Sequence, residues 1–266
     1  MSDFLLYEKN GHIVTLTINR PDKRNPLGEP GDGQIFEDMT RRIHEDRSVR
    51  CVILTGAGSA FSAGGNIKAM QERSGNFAGT PAQIADGYRN GIHRIVRALW
   101  SLEVPIIAAV NGPAIGLGND VACLCDIRIA SDKAVMGATF LKIGLIPGDG
   151  GAWILPRTIG MSRAAELLFT GKTIKAEQAL EWGLVSQVVA PDALMDAAQE
   201  LAQEIAVQSP EALRAAKRLL RQGQSVSFDT LMELSAVTQA AMHSSDDHQE
   251  AVQAFIDKRA PEYTDK

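Results

Sequence analysis

Twice in this chain a short apolar run gives way to small residues and glycines and then to a helical pattern. The stretches are "LTGAGSAFSAGGNIK" (54–68) and "AAVNGPAIGLGNDVA" (108–122). The runs that feed them, "RCVILTG" (50–56) and "VPIIAAV" (104–110), lack polar alternation and read as buried strands. Small residues let the main chain approach a neighbouring group closely. The helix that follows opens with N–H groups that have no partner within the helix and carry partial positive charge. Two such loops converging on one point make an oxyanion hole, where one donor is worth roughly 2.7–4 kcal/mol of transition-state stabilisation. Taken singly, each loop is equally well a tight turn; the pair points to a site.

The rest of the chain supplies the frame. "HIVTLTIN" (12–19) alternates and is β-branched, so it reads as a strand, and "CDIRIA" (125–130) reads as another. Helical spacing runs from Gly33 to Asp46, and again over 84–101 through Ile84, Tyr88, Ile92, Ile95, Val96 and Leu99. After about residue 160 strands thin out and helical patterns take over. The alternation makes this an α/β chain in which a ββα rhythm recurs without an exact repeat. The change of character near residue 195 divides it into 1–195 and 196–266. The second part is too thin to hold its own core and is expected to pack on the body or on a neighbouring subunit. At 266 residues and 45% hydrophobic, the chain can bury one sizeable core.

A net charge of −5 is a poor match for nucleic acid, which is therefore not an expected partner. No run of about 18 apolar residues is present to span a membrane, and the N-terminus lacks a basic-then-apolar leader pattern. The cytoplasm is the expected compartment. Cys51, Cys123 and Cys125 are too few for a disulfide framework and read as buried thiols, the last two sharing one face if they lie on a strand. His12, His44, His93, His243 and His248 show no metal-ligand spacing and read as surface or packing residues, so no metal is expected. "GLGNDV" (116–121) has Val121 where a dinucleotide fingerprint needs its third glycine, and no Gly-x-Ser-x-Gly elbow occurs.

Five collinear segments carry a resemblance: "FSAGGNIKAM", "VNGPAIGLGNDVACLCDIRIAS", "KIGLIPGDGGAWILPRTIG", "GKTIKAEQALEWGLVSQVV" and "AFIDKRAPEYT". Together they resemble the crotonase superfamily, the enoyl-CoA hydratase/isomerase enzymes, over nearly the whole chain from "TINRPDKRNPL" onward. The resemblance implies a crotonase-like ββα spiral core with a C-terminal α-helical trimerisation region, assembled as a homotrimer or hexamer. It implies an acyl-CoA thioester substrate, coenzyme A being part of that substrate, and no further cofactor. By motif match, the oxyanion donors are the N–H groups of Gly65 and Leu117. Leu117 stands where the family usually has glycine or alanine, so its side chain must find room. The same match puts the adenine against backbone at Ala63 and brings Lys23, Arg24, Lys68 and, from a neighbour, Lys258 and Arg259 toward phosphates. A solvated surface is the alternative reading for these cations. The polar segment 71–91 would border the acyl pocket.

The resemblance also raises the question of the acid. A family hydratase uses two glutamates. Here the first position is Asp120, one methylene shorter, and the second is Phe140, which can neither transfer a proton nor hold a water. Family isomerases carry an aspartate in "GL-x-x-D", where this chain has Gly148 followed by Asp149. Flexible neighbours Gly148, Gly150 and Gly151 would let a one-residue shift turn Asp149 inward. Asp149 is also placed to cap the following helix, and Asp120 to sit in a first helical turn, where acids are favoured. The expected activity is double-bond isomerisation of an enoyl-CoA with Asp120 and Asp149 as proton shuttles. The alternatives are hydration through Asp120, hydrolysis or dehalogenation with Asp149 as nucleophile, and a non-catalytic acyl-CoA binder.

Overall fold

The structure, a computed structural model, describes residues 3–264. Its strands are Leu5–Asn10 (β1), Ile13–Ile18 (β2), Pro26–Leu27 (β3), Cys51–Gly56 (β4), Gly64–Gly65 (β5), Ile106–Val110 (β6), Ala114–Ile115 (β7), Ile127–Ser131 (β8), Val135–Gly137 (β9), Ile174–Lys175 (β10) and Gln187–Val189 (β11). The helices are Asp32–Glu45 (α1), Ile67–Glu72 (α2), Pro81–Gly87 (α3), His93–Ser101 (α4), Leu117–Leu124 (α5), Gly151–Thr170 (α6), Ala176–Glu181 (α7), Leu194–Ala206 (α8), Pro210–Gln222 (α9), Phe228–His243 (α10) and Asp246–Asp257 (α11).

Six strands form one sheet in the order β1-β2-β4-β6-β8-β11, parallel except for the β1–β2 hairpin. The register Val52↔Ile106, Ile53↔Ile107, Leu54↔Ala108 aligns the apolar runs side by side. Period-two geometry then sorts them. Val52, Leu54, Ile106, Ala108 and Val110 face the larger core with α1, α4 and α5, while Cys51, Ile53, Ile107, Ala109 and Ile129 face Leu194, Ala198, Ala202 and Ala206 of α8. Both faces are covered, which is why these strands read as uninterrupted apolar runs. The first helix of the all-helical part thus closes the sheet of the body.

Short strands carry the second layer. β3 pairs with β5, β7 with β9 and β9 with β10, and an isolated Ser62↔Ala114 bridge joins the two groups. Long strand, short strand and helix therefore recur as β2-β3-α1, β4-β5-α2 and β6-β7-α5, the ββα spiral expected from the sequence. Cys123 lies in α5 and Cys125 just beyond it, so the shared-strand reading is corrected; all three cysteines are buried free thiols. Along α10 and α11 the side chains of Phe228, Val237, Phe255 and Ile256 are exposed, Phe255 at 86%. Among the described residues no helix is long and apolar enough to cross a membrane.

Candidate active site

The two glycine-rich loops meet. Ser62 N–H donates to Pro113 O (3.0 Å) and Ile115 N–H donates to Ser62 O (3.0 Å), which stitches one loop to the other. Gly64 sits at φ +86°, and a Cβ there would lie 2.4 Å from Ile115 O and 3.4 Å from Leu117 N, so only glycine permits this approach. Leu117 is the first residue of α5, where the N–H has no partner within the helix. Its side chain is buried, with one methyl 3.6 Å from where a Gly28 side chain would begin.

Sequence reasoning missed what holds the first loop in place. Asn25 is fully buried in the left-handed conformation at φ +56°. Its amide donates to Ala57 O (2.8 Å) and Ala60 O (2.7 Å), and its Oδ1 accepts from Arg20 N–H (2.8 Å). Arg20 in turn grips buried Asp32 through two bonds of 2.9 and 2.7 Å. The "NRPDKRNPL" stretch is thereby tied to the end of β4, and Ala63 N–H donates to Arg24 O (2.9 Å). Ala63, Arg24, Lys23 and Lys68 are all exposed along this edge, with Lys68 near Glu72 at 3.7 Å. Lys258 and Arg259 end α11, away from this edge in sequence. Arg259 is engaged within its own chain by Glu250 at 2.6 and 2.9 Å.

Asp120 and Asp149 are brought together. Asp120 is fully buried in the first turn of α5, and its Oδ2 accepts the Gly151 N–H (3.0 Å), the first of α6. It therefore satisfies one helix from the start of another. Burial, and secondly the charge of Asp149, push the Asp120 carboxyl up to about 7. A Cβ at Gly151 would stand 2.5 and 2.6 Å from the Asp120 oxygens, so this glycine is demanded by contact rather than flexibility. Asp149 is 5% exposed and points inward. It caps nothing: the N-cap of α6 is Gly150, at φ +103°. Its Oδ1 is buried without a hydrogen-bond partner, and burial pushes the carboxyl up to about 6 against a lowering by His93. Phe140 is 9% exposed, with its ring edge 3.7 Å from where a Gly116 side chain would begin. Where a second glutamate would stand, the second loop has a phenyl group beside it.

A cleft of about 620 Å³ adjoins these groups, lined by Met70, Arg73, Phe77, Ile84, Tyr88 and Ile143 among others. Met70 touches the position a Gly65 side chain would fill (2.7 Å), and burial, then the charge of Asp149, raises the Tyr88 hydroxyl above its ordinary pKa. The cleft thus reaches Gly65 through Met70, and the turn before Asp149 through Tyr88, whose ring lies 3.9 Å from where a Gly148 side chain would begin. Segment 71–91 does border it, folded as α3 with a Thr80–Gln83 capping box and a π-turn at Tyr88–Ile92.

The chain matches the Enoyl-CoA hydratase/isomerase family model over residues 8–266. It belongs to that family. Relatives of this enzyme include the 1,2-epoxyphenylacetyl-CoA isomerase of Escherichia coli (strain K12), 36% identical over 100% of both chains. The short-chain-enoyl-CoA hydratase of Clostridium acetobutylicum is 38% identical over 96% of this chain and 95% of that one. A crystal structure of enoyl-CoA hydratase from Bacillus anthracis superposes with a TM-score of 0.92 at 34% identity, covering 99% of this chain and 100% of that one. The fold is the crotonase fold, and members of this enoyl-CoA hydratase/isomerase family act on acyl-CoA thioesters.

Proposed function

We propose that this family member isomerises the double bond of an enoyl-CoA through a thioester enolate. The Gly65 and Leu117 N–H groups hold the enolate oxygen; Asp149 removes a proton at one carbon and returns it at another. The observation that carries this reading is the state of Asp149: buried in the turn that Tyr88 of the cleft approaches, with one oxygen unpartnered and its carboxyl raised to about 6, within reach of both protonation states near neutral pH. Asp120 contributes as the neighbour whose charge state is tied to that of Asp149, while its own Oδ2 is occupied by Gly151 N–H. Phe140 argues against the two-glutamate hydration route. Full-chain similarity to a 1,2-epoxyphenylacetyl-CoA isomerase supports isomerase chemistry in general, on an epoxide in that relative.

Hydration is the second reading, because Asp120 occupies a hydratase carboxylate position and hydratases stand at comparable identity. One experiment separates the two. Wild type, Asp149→Asn and Asp120→Asn are incubated with a 3-enoyl-CoA in D₂O and followed by NMR. Isomerisation gives α- and γ-proton exchange with double-bond migration, lost by 10²-fold or more in Asp149→Asn, on the order expected for removing a general base. A wild type that binds the thioester but leaves its protons unexchanged sinks the reading.

We further propose a homotrimer or hexamer assembled through the C-terminal helices. The exposed apolar side chains of α10 and α11 support this, since large exposed patches mark association surfaces. Ala63, Lys23, Arg24 and Lys68 are assigned to the coenzyme A edge, with Lys258 and Arg259 supplied by a neighbour. No metal or additional cofactor is required by this chemistry.

A further inference from the structure

His93 carries none of the signals of a functional histidine in sequence, yet it lies against the turn that presents Asp149. Its Nε2 is 2.9 Å from Gly148 O. A carbonyl only accepts, so Nε2 bears the proton and donates. The bond spans α4 and the loop before α6, elements also locked by the edge-to-face pair Trp100–Trp153 at 5.1 Å and by Val96, whose methyl lies 3.6 Å from the position of a Gly150 Cβ. His93, the first residue of α4 after the π-turn, meets Tyr88 edge to face with ring centroids 5.8 Å apart. The i→i+5 bonding of such a turn brings residues five apart onto one side, and π-turns recur at functional positions.

Asp149 needs an external tether. Its Oδ1 finds no partner, so nothing in the protein fixes the carboxylate through that atom. Its neighbours on both sides are glycines, which resist bending least. Downstream, the turn is anchored where Gly150 O accepts from Trp153 and Ile154 N–H, both 3.0 Å. Upstream, Gly148 N–H donates to nearby Ile146 O (2.8 Å), a contact within the turn itself. Also upstream, Leu145 N–H donates to Phe140 O (3.0 Å), and the Gly148 carbonyl fastens the turn to α4.

We propose that His93 is a positioning residue, fixing the turn that carries Asp149 through its hydrogen bond to the Gly148 carbonyl. The inference rests on Asp149 being the base of the isomerisation described above. The test compares His93→Leu with His93→Gln, whose amide reproduces the donor without the ring. Two readouts are taken: proton-exchange kinetics on a 3-enoyl-CoA, and backbone hydrogen–deuterium exchange of the 145–151 segment in the full protein. His93→Leu is expected to lower kcat roughly 10–100-fold, the scale of a small misplacement of a catalytic group, with KM within about threefold. It should also speed exchange in 145–151. His93→Gln should restore both, to within about fivefold in kcat. Wild-type kcat in His93→Leu overturns the proposal, as does a kcat loss that Gln fails to rescue. An inactive wild type with thioester bound rejects the isomerase reading instead; the backbone-exchange arm then still decides whether His93 holds the turn.

Discussion

A carboxyl group with a pKa near 6 is mostly ionised at neutral pH yet keeps its protonated form within easy reach, as a general base that returns its proton requires, and burial is what puts Asp149 there. The same burial ties pH to stability. The folded chain holds the Asp149 proton more tightly than the unfolded chain, so between about pH 4 and pH 6 the folded state binds more protons. Stability contributed by this group is complete below the unfolded pKa and is lost as pH rises through the folded one. Asp149→Asn removes that dependence. Its stability relative to wild type should rise by roughly 2 kcal/mol between pH 4 and pH 7.5, measured by urea denaturation at each pH. In wild type, kcat/KM should climb as pH rises through about 6, because the base must be ionised. Gly151→Ala forces a methyl into the Asp120 carboxylate; a loss of about 1–3 kcal/mol is expected, checked by thermal unfolding.

Between elements, the decisive contact is the stitch from Ser62 to Pro113 and Ile115. Gly64→Ala places a methyl 2.4 Å from a backbone oxygen at a left-handed φ, and neither can yield cheaply. A loss of about 2–4 kcal/mol is expected, with thioester proton exchange falling to background even where the variant folds. The long strands of this layer were legible in sequence because a strand covered on both faces is apolar throughout, as β4 and β6 are. The partners β5 and β7 were not legible as strands, since two residues cannot show a period. The break of 84–101 into α3, a π-turn and α4 was hidden as well, because one added residue leaves Ile84, Tyr88 and Ile92 at spacings an α-helix also allows. Within the site, Asp120, Asp149 and the two loops could be named from motif position. His93 and Asn25 could not, because their partners are backbone carbonyls 55 and 32 to 35 residues away, which carry no side-chain signature.

Across the whole molecule, the helical end divides by what it touches. The small face of α8 seats on the sheet, whereas α10 and α11 leave Phe228, Val237 and Phe255 in solvent. If these side chains close a trimer, Phe255→Asp should shift the mass measured by light scattering from three or six chains toward one, with the far-ultraviolet circular dichroism unchanged. A single-chain mass for the wild type would refute the assembly. The sheet, buried on both sides, should report no change in either case.

The proposed oxygen-binding groups at Gly65 and Leu117 are main-chain atoms, whereas the proposed proton-moving groups are side chains, Asp120 on the same helix as Leu117 and Asp149 in the turn before α6. Mutation therefore acts on the two halves of the chemistry unequally. On that proposal, a codon change at position 149 would redirect protons while leaving the main-chain polarising pair in place. A lineage built this way can exchange one reaction for another without first losing its grip on the thioester.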